Sequence, residues 1–133
     1  KKIFTKLTSK KFSKITVPHL ENWKTVWKNR KKKIFDDAET FITNKKNNRI
    51  IEIGKKLTNK NYKKTKGQFM GIIYIPKDII KHVTNYYEMR DKRKIQFTEF
   101  LNFLISKKLE LSTFPYKGLW YEFDDIHDLK SFN

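Results

Sequence analysis

The chain has 133 residues, with 31 Lys and Arg against 14 Asp and Glu, a formal net charge of +17. That length fits one domain, and aromatic residues at 15% within a 38% hydrophobic fraction exclude an ordinary disordered tail. With no Cys, and with His19, His82 and His127 nowhere at i,i+4 spacing, disulfides, thiolate chemistry and Cys- or His-rich metal sites are excluded, and no apolar run approaches the roughly 20 residues that span a bilayer.

In chain order, residues 1–14 are basic and lack an apolar period. They read as the cut edge of a larger domain that 15–133 continues. Ile15-Thr16-Val17, stopped by Pro18, reads as a strand end. From Glu21 to Arg30, Trp23, Val26 and Trp27 fall at i, i+3 and i+4 and predict a short helix with both tryptophans in the core. Phe41–Thr43 and Arg49–Ile53 flank the turn-forming run Asn44-Lys45-Lys46-Asn47-Asn48 and predict a hairpin. Residues 55–66 read as a Lys/Asn-rich loop.

Gln68–Ile75, bounded by Gly67 and Pro76, predicts a buried strand with Gly71 at a close backbone approach. Pro76 suits the first turn of a helix carrying Ile79, Ile80, Val83, Tyr86 and Tyr87 at helical spacing. Phe97, Phe100, Leu101, Leu104 and Ile105 predict another. Leu109–Phe114 and Leu119–Phe123 are strand candidates, and Asp125 with Asp128 resembles a capping box opening a last helix through Phe132. The order of elements is mixed α/β.

The charge is lopsided. Residues 1–66 carry 21 basic and 5 acidic side chains, whereas 67–133 carry 10 and 9. A field of that kind attracts nucleic acid, anionic lipid heads or phosphorylated small molecules, and a small basic nucleic-acid-binding module is one reading. Only four of the cations are Arg, the residue that makes bidentate contacts to bases, so such binding is expected to be unselective polyanion binding.

Four stretches point elsewhere. Trp23-Lys24-Thr25-Val26-Trp27-Lys28-Asn29-Arg30 followed by Asp36-Asp37-Ala38-Glu39-Thr40-Phe41, then Glu52-Ile53-Gly54-Lys55-Lys56, then Gly67-Gln68-Phe69-Met70-Gly71-Ile72, and finally Trp120-Tyr121-Glu122-Phe123-Asp124-Asp125-Ile126-His127-Asp128-Leu129 occur in this order. Together they resemble the nucleotidyltransferase family, in its branch of sugar-phosphate and phosphocholine-type cytidylyltransferases of surface-polysaccharide gene sets. The Gly-rich phosphate loop of that family, and its later Gly-Asp motif with a metal-binding Asp, have no counterpart here. Gly54, Gly67, Gly71 and Gly118 are too scattered to build such a loop.

The resemblance therefore implies the C-terminal part of a Rossmann-like nucleotidyltransferase domain with a mixed sheet, the chain being either a truncated product or a fragment, with an N-terminal half on another chain as one reading. The implied activity is transfer of a nucleotidyl group, by the resemblance cytidylyl, from a nucleoside triphosphate to a phosphorylated small molecule with release of pyrophosphate. Mg²⁺ is the implied cofactor, with Asp124 and Glu122 as ligands on one face of a strand. Lys56, Gly67, Gln68 and Gly71 are the implied substrate-binding residues, Lys56 holding the acceptor phosphate as a point charge. Without the phosphate loop the isolated chain is expected to be inactive and to bind Mg²⁺ weakly; a non-catalytic remnant of the family is the alternative. Localisation is expected to be cytoplasmic. Asp36, Asp37 and Glu39 read as the acidic end of a loop pairing with Lys31–Lys33, with a substrate pocket as the other possibility.

Overall fold

Apolar residues at helical and alternating spacing gather the chain around two hydrophobic clusters, and short strands stitch distant segments between them. The computed structural model describes residues 2–28, 34–90 and 95–123, together with Ile126 and Lys130. The elements are α1 (Lys2–Ser9), β1 (Ile15–Thr16), β2 (His19–Leu20), α2 (Trp23–Trp27), α3 (Ile34–Asp37), β3 (Glu39–Thr43), β4 (Ile50–Lys56), α4 (Asn59–Tyr62), β5 (Gln68–Phe69), α5 (Ile80–Glu88), α6 (Phe97–Ser106), β6 (Leu111–Ser112) and β7 (Pro115–Tyr116). The fold is mixed α/β with parallel and antiparallel pairings.

The hairpin expected around the Asn/Lys turn is present as β3–β4, paired antiparallel. Asn48 takes the left-handed conformation, with φ 53°, which an Asn side chain tolerates in a turn. Helix α6 lies on β4. It opens on a capping box between Gln96 and Glu99, and its Phe100, Leu101 and Leu104 join Phe41 and Ile53 of the hairpin in the first cluster. Gly54 makes this contact close: its φ is +78°, and a Cβ there would lie 2.3 Å from Thr98 Cβ. Asn102 ties the same helix to β4, its amide accepting from Ile53 N–H at 3.2 Å and donating to Ile53 C=O.

β1 pairs with β6 in parallel, Ile15 opposite Leu111. β2 sits at the centre of a three-stranded sheet, antiparallel to β5 and parallel to β7. The second cluster forms around Trp23, Leu20, Leu57 and Met70. Among the described residues no helix is long and apolar enough to cross a membrane.

Several elements differ from the sequence reading. The basic segment 2–9 is helix α1, because Ile3 and Leu7, one turn apart, are buried in the second cluster. The Lys/Asn-rich 55–66 contains the end of β4 and helix α4, which Thr58 and Asn61 open with a capping box. The strand expected over Gln68–Ile75 stops at Phe69. Gly71 then turns the chain at φ +67°, and only Tyr74 pairs again, with Thr16. No strand forms at 119–123; β7 stands earlier, at Pro115–Tyr116. The helix expected over 125–132 lies outside the described residues except for Ile126 and Lys130.

Candidate functional site

A cleft of about 180 Å³ opens where α2, the α3–β3 junction, β5 and the segment after β7 converge. Trp27 of α2, Asp37 and Glu39, Gln68 and Phe69 of β5, and Trp120, Tyr121 and Glu122 supply its wall. Each element reaches the cleft for a local reason. The i,i+4 spacing of Trp23 and Trp27 buries the first ring and leaves the second half-buried, with the two edge to face at 6.3 Å. The segment after β7 is held by Asn22, whose amide donates to Gly118 C=O at 3.2 Å and accepts from Gly118 N–H at 3.1 Å.

Gln68 performs the same task on the opposite wall. Its Nε2 donates to Glu39 C=O at 2.7 Å and its Oε1 accepts from Glu39 N–H at 3.2 Å. The side-chain amide thus stands where a neighbouring strand would be and fixes the start of β3. Replacing Gln68 by leucine removes both partners of this part-buried peptide group. A loss of about 2 kcal/mol is expected, readable by chemical denaturation; a loss below about 0.5 kcal/mol would show that water replaces the amide without cost.

Burial holds the Glu39 carboxyl above the usual carboxylate range; a hydrogen bond with Thr98 opposes this, and the negative charges of Asp37 and Glu99 add to it. The chain Gly54–Thr98–Glu39 therefore links the helix–hairpin contact to the cleft wall. Trp120 Nε1 is buried without a hydrogen-bond partner among the described residues.

The substrate-binding residues expected from the sequence are partly brought together. Gln68 and Glu122 line the cleft, and Gly71 lies beside Glu122, where an added Cβ would be 3.4 Å from Glu122 Oε1. The expected close backbone approach is not at Gly71, where an added Cβ would meet only the Glu122 side chain. It falls at Gly67, where a Cβ would lie 2.4 Å from His19 Cδ2 and 2.8 Å from the Leu20 carbonyl oxygen. Lys56 does not line the cleft, but it stands directly opposite Glu39 in the hairpin register, and residues so paired project to one face of a sheet. Glu122 is in an irregular segment rather than on a strand, and Asp124 lies outside the described residues. Among the described residues no group of three His, Cys, Asp or Glu could hold a metal ion.

Asp37 and Glu39, read from the sequence first as loop acids and second as a substrate pocket, line the cleft, and Trp27, read as core, packs against the second cluster while also lining the cleft. The available signal was a pair of acids opening a β-branched, aromatic strand in a chain otherwise crowded with lysine.

Behind this wall, His19 is 7% exposed. Thr113 Oγ1 donates to Val17 C=O at 2.5 Å and so accepts from His19 Nδ1–H at 2.7 Å. Burial pushes the His19 pKa down to about 4, against the opposing charge of Glu21.

In fold, this arrangement is similar to part of a solved nucleotidyltransferase structure. The structure of the inositol-1-phosphate CTP transferase from T. maritima matches 93% of this chain and 44% of that one, with a TM-score of 0.63 at 19% sequence identity. In sequence, a CTP:phosphoglutamine cytidylyltransferase of Campylobacter jejuni is 29% identical over 119 residues, 83% of this chain and 46% of that protein. No family model matches. The chain is cytidylyltransferase-like in both respects and spans under half the length of either protein.

Proposed function

We propose that this chain forms the acceptor-side half of a cytidylyltransferase-type site. The reaction is in-line attack of an acceptor phosphate oxygen on the α-phosphorus of CTP; the new P–O bond forms as the bond to the departing pyrophosphate breaks. The observation that carries this reading is the cleft, which brings Gln68 and Glu122 to one place, with Gly71 beside them, from segments far apart in the chain. Lys56, on the face of the hairpin that carries Glu39, provides a point charge for the acceptor phosphate.

Neither a triphosphate-holding loop nor a set of metal ligands occurs among the described residues. The chain by itself is therefore expected to bind a phosphorylated acceptor without turnover. Trp27 and Trp120 line the cleft, so binding is read as a change in tryptophan fluorescence, weakened by Lys56→Ala. Incubation with CTP, Mg²⁺ and inositol 1-phosphate or phosphocholine is expected to yield no pyrophosphate above the blank. Turnover that disappears in Glu122→Ala would show a complete site instead of half of one. Failure of every phosphorylated acceptor to bind would overturn the acceptor reading.

A further inference from the structure

A second cavity, of about 250 Å³, opens at the turn end of the β3–β4 hairpin and shares no lining residue with the cleft. Leu20 lines the cleft and its neighbour His19 the cavity, so the two lie on opposite faces of β2. Lys56 stands at the other end of the hairpin. It is opposite Glu39, and Thr43 of the cavity wall is roughly 13 Å further along the same strand.

The rim is a closed circuit of backbone hydrogen bonds. His19 pairs with Phe69 on one side, and its N–H donates to Phe114 C=O at 3.2 Å on the other. Thr113 N–H donates to Asn48 C=O at 3.0 Å, and across the hairpin turn Asn44 N–H donates to Arg49 C=O at 2.8 Å. Phe41 C=O then accepts from Lys66 N–H at 2.9 Å, which leads back to β5. A mouth framed by strand ends tied to one another is a common place for a preformed ligand site.

In a chain with 31 Lys and Arg, two lysines beside a hollow are expected by count alone, but the cleft has none among its described lining. Lysines elsewhere are engaged: Lys14 and Lys55 pair with Glu110 and Glu52, and Lys6 and Lys24 lie over aromatic rings. Among the described residues the side chains of Lys45, Lys66 and Asn48, all lining the cavity, have no such partner. Glu21 is the one acid in the lining and forms no ion pair with either lysine. His19 adds no charge at neutral pH, since burial holds its pKa near 4. Two ammoniums against one carboxylate leave a positive hollow, which disfavours a cation and favours an anion. Lysines hold phosphate oxygens as point charges, and the Asn48 amide and Thr43 hydroxyl add donors beside them.

We infer that this cavity binds the phosphoryl group of a small molecule, with Lys45 and Lys66 as counter-charges and Asn48 and Thr43 as hydrogen-bond donors. It is a second anion site, separate from the acceptor position beside Lys56, and it stands whether or not the acceptor reading does.

The test titrates the full chain with ethyl phosphate and with acetate, following the Asn48 side-chain amide by NMR. Ethyl phosphate is expected to shift that signal saturably and to bind about fivefold more tightly than acetate. Lys45→Ala combined with Lys66→Ala removes two exposed side chains and is expected to weaken binding about tenfold. Lys77→Ala combined with Lys81→Ala removes the same charge outside the cavity and is expected to weaken it less than about twofold. Glu21→Gln, which removes the opposing charge, is expected to tighten it. Lys56→Ala is expected to leave the Asn48 titration unchanged. Equal losses in the two double variants would reveal a diffuse field and overturn the inference. So would the absence of a saturable shift, equal affinity for acetate, weaker binding in Glu21→Gln, or loss of the shift in Lys56→Ala.

Discussion

Gly54→Ala is expected to destabilise the chain by about 3 kcal/mol. Two costs add. An alanine at φ +78° occupies the left-handed region at roughly 1–2 kcal/mol. Its Cβ would also stand 2.3 Å from Thr98 Cβ and 2.5 Å from Thr98 Oγ1, which forces α6 away from β4 at a further 1–3 kcal/mol or so. In a chain of this size the melting temperature falls by roughly 10 °C. Gly71→Ala separates the two terms: its φ is +67°, but the nearest atom to the new Cβ is Glu122 Oε1 at 3.4 Å, so it bears the backbone cost with little crowding. Equal losses in the two variants would refute the packing account. Because Thr98 hydrogen-bonds Glu39, Gly54→Ala is also expected to weaken acceptor binding while leaving every cleft residue in place.

Stability is expected to fall by about 3 kcal/mol as pH drops from 6.5 to 4. The folded-state pKa of His19 is about 4 against 6.5 for a free side chain, and each tenfold loss of proton affinity on folding corresponds to about 1.4 kcal/mol. Between those values the unfolded chain binds the extra proton, so stability rises with pH there; the His19 contribution is complete above pH 6.5 and gone below about 4. Glu39 acts with opposite sign: its raised pKa means that the folded state holds the proton longer, which favours folding at low pH and is lost as pH rises through the folded value. Glu110, whose pKa is lowered by its hydrogen bond and ion pair with Lys14, contributes above the carboxylate range and loses that contribution on acidification. Urea denaturation at pH 7 and pH 5 measures the slope, and His19→Asn should flatten it. An NMR titration placing His19 near 6.5 would remove the basis of this expectation.

The parts of the fold legible from sequence were those whose signal is local. Ile80–Glu88 and Phe97–Ser106 repeat apolar residues at helical spacing, and the hairpin is marked by its Asn/Lys turn. Helices α1 and α4 were not legible, since α1 buries two apolar residues against partners far along the chain and α4 is a single capped turn. The pairings β1–β6 and β2–β7 involve strands of two residues each, too short to show a period. Of the cleft, Gln68 and Glu122 were legible through motifs. Asp37 and Glu39 were legible only as the second of two readings, because a lysine run precedes them in sequence and offers an obvious local ion pair. The rings and amides that give the cleft its shape are gathered by tertiary contacts such as Asn22 with Gly118.

Those paired ends have a consequence for the order in which the molecule can be built. Ile15, Thr16, His19 and Leu20 find their parallel partners at Leu111, Ser112, Pro115 and Tyr116. Synthesis adds roughly 5–20 residues each second, so the first strands wait on the order of 5–20 s for their partners to be made. During that interval Ile15-Thr16-Val17 is an unpaired apolar strand of the kind that pairs with copies of itself. Lys10, Lys11 and Lys14 immediately precede it, and like charges beside a waiting strand keep nascent copies apart. These lysines thus protect a segment that is made well before the strands that complete it.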